Sequence, residues 1–240
     1  MSQYSIDQLR KHWAANTANF QSQLPVCHAL FKELADFGSL VASALTGRKE
    51  LEANCVYLLF AKSLNHAFSA LLLLERGLIV DSALSTRNAL ESLLLLELLV
   101  KRPELCASWA QGDEFRPAEV RRQLSELQTV AVRDVVISVT RDEYDDAKFA
   151  YSWLSRITHA NLESLQHSAT SDGPDSFVVH IGGAHSETAA VAIAAVLGSA
   201  FLRAGATAVS AYAVSVLQQH GHAFDRLKER TAALTAKRGA

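Results

Sequence analysis

Apolar residues along this chain recur at the three- and four-residue spacing of helices, and they do so almost from end to end. A first helix is expected from about Ser5 to Gln23. Pro25 suits the first turn of a second, ending near Gly47. A third covers about Arg48 to Glu75, and Gly77 is a good stop for it. The fourth runs from just after Gly77 to Arg102, where Pro103 ends it. So short a turn makes helices three and four an antiparallel hairpin. Two short helices are expected next, one after Pro103 and one from Pro117 to about Leu127. Residues 128–138 (QTVAVRDVVIS) fit helix or strand equally. A further helix is expected from about Arg141 to Asn161. Residues 168–183 hold Asp-Gly-Pro and Gly-Gly and read as loop, with 176–181 (SFVVHI) able to form a short strand. A long helix rich in small residues is expected from Ser186 to beyond Gln219, with Gly221 breaking it before a charged tail helix. These elements make an all-α bundle of six to eight helices. No internal repeat or low-complexity linker is evident, so residues 1–240 are expected to form one domain, with a core over 25–220 and the tail over 221–240.

Composition fits that expectation. Hydrophobic residues are 49% of the 240, ample for one large core, and there are only four prolines. The net charge of −2 gives no global pull toward nucleic acid or anionic lipid. Three cysteines, Cys27, Cys55 and Cys106, with no C-x-x-C pair, point to a reducing cytoplasm rather than a disulfide scaffold or zinc ribbon. The first twenty residues carry no apolar signal core. The stretch Ala189 to Leu217 is long enough to span a bilayer, but Arg203 near its centre would cost about 2.5–3.5 kcal/mol there. A buried helix inside the protein, with no membrane, is the expectation. Its small side chains suit either a central core helix or the interface of a symmetric dimer.

Two polar clusters interrupt the apolar pattern. On the fourth helix, Arg87 and Glu91 lie one turn apart, within an arc formed by Val80, Ala83, Leu84, Leu94 and Leu98. Asp81, Ser85, Asn88 and Ser92 fall on a separate side. Charges on an apolar stripe need partners. One contact between them does not satisfy a guanidinium with five donors. The pair is either an anion-binding element or a buried ion network that pins helix packing. Removing one partner of a fully buried pair would cost about 3–5 kcal/mol.

The second cluster is Tyr151-x-x-x-Ser155-Arg156-x-x-His159. Lys148, Ser152, Ser155 and His159 share one face, bordered by Tyr151 and Arg156, with Phe149, Trp153, Ile157 and Ala160 opposite. His159 has the chemistry of a general acid or base, and Arg156 that of a phosphate or oxyanion partner. The plain alternative is the solvated face of an amphipathic helix. His66 on the third helix makes either ordinary hydrogen bonds or part of the Arg87 pocket. No G-x-S-x-G, H-E-x-x-H, Walker loop or G-x-G-x-x-G occurs. Neither a cofactor, a metal site nor a DNA-binding motif is therefore expected. Basic residues cluster over 101–133 and again in the tail from Gln218, where they suit RNA phosphates or plain solvated surface.

The run Arg76-Gly77, Ala83-Leu84, Arg87, Leu90-Glu91, followed by Tyr151, Leu154-Ser155 and His159, resembles a group of bacterial all-helical families of unknown function that are compared with HEPN domains. The resemblance covers about Leu51 to Asn161. It implies a helical bundle, commonly dimeric, and a metal-independent ribonuclease in which Arg156 binds phosphate and His159 moves the proton. The family's Arg and His stand four to six residues apart, whereas here only Ile157 and Thr158 separate them. Binding of RNA or a nucleotide follows from the resemblance. A non-enzymatic, dimeric interaction module with a structural Arg87–Glu91 pair is the alternative.

Overall fold

A computed structural model describes residues 5–127, 129–132, 135–138, 141–158, 169–173, 176–179 and 186–238. The architecture is all-α: nine helices among these residues, with two small β-hairpins attached. Helix α1 (Ile6–Gln23) starts at a capping box in which Ser5 and Gln8 bond reciprocally. Pro25 occupies the first position of α2 (Pro25–Leu45). The hairpin of α3 (Leu51–Glu75) and α4 (Ile79–Lys101) turns at Gly77, whose φ is +79°, a conformation costly for any residue with a Cβ. There the Gly77 amide donates to Leu74 and the Leu78 amide to Leu73, both at 2.9 Å, so the last carbonyls of α3 are capped.

Helix α4 is the centre of the bundle. It packs on α3, on α8 (Glu187–Tyr212), on α7 (Arg141–Thr158) and on α6 (Pro117–Glu126). The short α5 (Leu105–Ala110) lies against α3. Helix α8 is sandwiched by α4, α2 and α9 (Val214–Arg238). Its small residues are spent on these contacts: Gly198 faces Thr231 of α9 and Gly205 faces Phe37 of α2, with no room for a Cβ at either. Four aromatic rings tie the layers, Phe37 with Phe224 at 4.8 Å, Phe60 with Phe201 at 5.7 Å and Phe37 with Phe60 at 6.4 Å. Two helices, α3 and α8, are long and apolar enough to cross a membrane. In α8, 72% of the most apolar stretch is buried inside the protein, so its hydropathy is that of a core helix. In α3 the outward residues include Leu51, Leu58 and Leu72.

One open segment is assigned and two expectations need correction. The ambiguous segment 128–138 contains an antiparallel hairpin, β1 (Thr129–Val132) with β2 (Val135–Ser138), as its β-branched residues favour. The segment read as loop with one strand holds two, β3 (Ala169–Gly173) and β4 (Ser176–Val179). The last long helix ends at Tyr212, where Ala213 takes φ −153° and ψ 50°. The tail helix then runs from Val214 with a kink at His220, one residue before Gly221. That tail folds back on α2 through Arg226–Glu33 at 3.2 Å, Arg226–Asp36 at 3.5 Å and Arg230–Glu33 at 3.8 Å. Part of its basic charge is therefore spent within the chain.

Candidate functional site

The two polar clusters meet. Glu91 Oε1 accepts from Arg87 Nε at 3.1 Å and from the Tyr151 hydroxyl at 2.8 Å. The same hydroxyl accepts from an Arg87 terminal nitrogen at 2.9 Å. This closed triangle joins α4 to α7, because Tyr151 leans from the border of its helix face toward the hairpin. Burial lowers the pKa of the Arg87 guanidinium, but Tyr151 and Glu91 outweigh it, and the net shift is upward. Arg121 of α6 stacks on the other side of the arrangement, its Cζ 3.8 Å from the centre of the Tyr151 ring. One terminal nitrogen of Arg121 is buried with no hydrogen-bond partner among the described residues.

The Arg87–Glu91 pair is less buried than the helical arc suggested. The side chains are 24% and 26% exposed, Leu84 from the same arc is 46% exposed, and Ser92 from the supposed wet side is buried. Helix α4 has core contacts nearly all round, so a single stripe was the wrong picture. The cost of breaking a fully buried pair does not apply here.

Beside the triangle lies a cleft of about 360 Å³. Lys62 and His66 of α3 and Asn88, Glu91 and Ser92 of α4 are its polar lining, and Trp109 and Phe115 are its aromatic lining. Glu91 thus belongs to both triangle and cleft. Its Oε1 is engaged, while Oε2 has no hydrogen-bond partner among the described residues. The Lys62 ammonium, the His66 ring and the Asn88 side-chain amide likewise make no hydrogen bond to any described residue. Lys62 is exposed, and His66, Asn88 and Glu91 are half-buried, so the polar groups of this wall are open to solvent as well as to the cavity. Nearby acidic groups on α6 are already committed: Arg122 holds Glu119, with its carboxyl pulled down to about 2, and Glu126.

Burial, and then the Lys62 charge, lower the pKa of His66 from its ordinary value. The imidazole is therefore neutral at pH 7 and can accept a proton. The linkage has a definite sign. The unfolded chain, with His66 near 6.5, binds more protons than the folded one as pH falls through that value, so folding loses stability below about pH 6.5. His66→Gln should flatten this part of the profile. Unfolding midpoints compared between pH 5 and 8 test it, because the other histidines contribute equally to both proteins. Identical slopes would show that His66 is not depressed.

The remaining sequence candidates divide. Ser155 is half-buried, Ser152 and Arg156 are exposed on α7, and Leu154 and Ile157 form its core side with Ala150. The Lys148 side chain and all of His159 lie outside the described residues. Among the described residues, no three of His, Cys, Asp and Glu are grouped to hold a metal ion. Sequence reasoning missed Lys62, Asn88, Trp109, Phe115 and Arg121 as site residues. The spacing Lys62-x-x-x-His66 was the available signal, one helical turn on the face that meets Asn88. It also missed the buried pair Glu97–Arg203, at 2.8 Å across α4 and α8. No family model, curated protein or solved structure matches this chain.

Proposed function

We propose that this helical protein binds a nucleotide, free or within an RNA strand, in the cleft between α3, α4 and α6. One observation carries the reading: Lys62, His66 and Asn88, whose side chains bond no described residue, line a cavity of nucleotide size together with Glu91 and two aromatic side chains. Trp109 and Phe115 offer stacking surfaces for a base. Lys62 offers a phosphate contact, and Arg87 and Arg121 behind the wall leave the neighbourhood positive despite Glu91. Neutral His66 supplies a proton acceptor within the same cavity. The Arg87–Glu91–Tyr151 triangle acts as the buttress, fixing Glu91 and docking α7.

The resemblance to HEPN-like domains adds a catalytic version of the same proposal. It assigns Arg156 and His159, on and just beyond α7, to metal-independent RNA cleavage. The alternative of a dimeric interaction module loses one support, since the small-residue helix is consumed inside the protomer.

Calorimetric titration with 5′-mononucleotides and a short single-stranded RNA, without divalent metal, is the test. Wild type should bind, and Lys62→Ala should weaken binding about tenfold with a smaller salt dependence. Absence of binding by any nucleotide or RNA would end this reading. In parallel, a mixed RNA pool incubated with wild type, His159→Ala and His66→Ala separates the catalytic versions. Cleavage lost only in His159→Ala supports the resemblance, and cleavage lost only in His66→Ala relocates the chemistry to the cleft.

A further inference from the structure

We infer that Cys55 and Cys106 form a redox modification site, a dithiol that closes reversibly into a disulfide and pins α5 onto α3. The inference stands apart from the nucleotide reading and needs no ligand in the cleft.

Two sulfurs from distant parts of the chain converge here. The Cys55 thiol of α3 donates to the backbone carbonyl of Cys106 at 3.8 Å, and both residues are buried. Each thiol is also among the groups that act on the other, whereas Cys27 of α2 acts on neither. A buried cysteine by itself is a small core residue; two with adjoining sulfurs can be joined. Helix α5 can supply the movement that joining requires. It has six residues, its start has no side-chain cap, and Cys106 is its one buried residue. Gly112, with φ +98°, follows its C-cap. So short a rim element opens far more easily than the whole bundle.

While α5 is closed, burial holds both groups as thiols. When it lifts, Cys106 meets solvent and can ionise. Its thiolate attacks one sulfur of a low-molecular-weight disulfide, whose S–S bond breaks and releases one thiolate. A mixed disulfide stays on Cys106. Cys55, uncovered by the same opening, then attacks the Cys106 sulfur as a thiolate and expels the second thiolate. The two protons lost by the cysteines end on the two released thiols, and two electrons pass from the protein to the reagent. Cys106 and Trp109 lie one turn apart on α5, so the bridge also holds part of the aromatic lining of the cleft.

The reduced full chain incubated with oxidised glutathione at pH 8, then digested without reductant and read by mass spectrometry, tests this. The expected product is a peptide pair linking Cys55 to Cys106, with Cys27 left as a thiol. Cys55→Ala should leave a glutathione adduct on Cys106 and no bridge, and Cys27→Ala should bridge as wild type does. Circular dichroism melts confirm that both variants are folded. The bridged protein should melt about 5 °C or more above the reduced one, because the bridge closes a long loop, and reductant should reverse the shift. Adducts without a bridge, a bridge through Cys27, no oxidation at all, or a bridge that lowers the melting temperature would overturn the assignment.

Discussion

Replacing Glu97 with alanine is expected to destabilise the protein by about 3–5 kcal/mol. Glu97 is 2% exposed and Arg203 19%, and the pair crosses the interface of the two most central helices. Truncation removes the acceptor of the Arg203 Nε and leaves a guanidinium in a largely dehydrated site. The loss combines the removed ion pair with the void that the missing side chain leaves between α4 and α8. Two further variants separate those quantities. Arg203→Ala should cost a similar amount, because it strands Glu97 instead. Glu97→Leu combined with Arg203→Met should come close to wild type. Urea unfolding with an unchanged m-value reads all three. A loss under about 1 kcal/mol for Glu97→Ala would show that water reaches the pair.

Gly205→Val should cost about 3 kcal/mol or more, although a helical glycine is ordinarily improved by a side chain. A Cβ at Gly205 would intrude on the ring of Phe37. Phe37 is fully buried and held by Phe60 and Phe224, so it has nowhere to retreat. The backbone of α8 would have to move off α2, opening voids along a contact that now packs closely. Thermal and urea melts measure the effect, and Phe37→Leu in the Gly205→Val background should recover part of it. A neutral Gly205→Val would mean that the two helices stand further apart than described.

The helices were readable because their boundaries are local chemistry. Ser5 with Gln8, Pro25, Gly77, Pro103 and Pro117 each act within a turn, and each ends or begins a helix within about three residues of expectation. The end of α8 was not readable, since the window from Ala189 to Leu217 stays apolar through Ala213 and only the packing of α9 back onto α2 requires a corner there. In the site, Arg87, Glu91 and Tyr151 stood out as polar groups in apolar surroundings. That Tyr151 is the partner depends on how α7 crosses α4, sixty residues apart in sequence. Asn88 and Ser92 were set aside as a wet face because a helical wheel assumes one buried side, whereas α4 is covered by neighbours on several. Arg203, weighed only against a lipid environment, proves to have its counter-charge on the hairpin.

The three cysteines carry one more consequence. Cys27, Cys55 and Cys106 are all buried, on α2, α3 and α5. Burial, reinforced by the neighbouring Cys55, pushes the Cys106 thiol up to about 12. A thiolate is the reactive form, so in the folded protein these sulfurs are silent toward alkylating reagents at neutral pH. Each becomes reactive only when its own helix lifts away from its neighbours. The chain therefore carries three native reporters of opening, and the order in which they are modified would reveal which layer of the bundle loosens first.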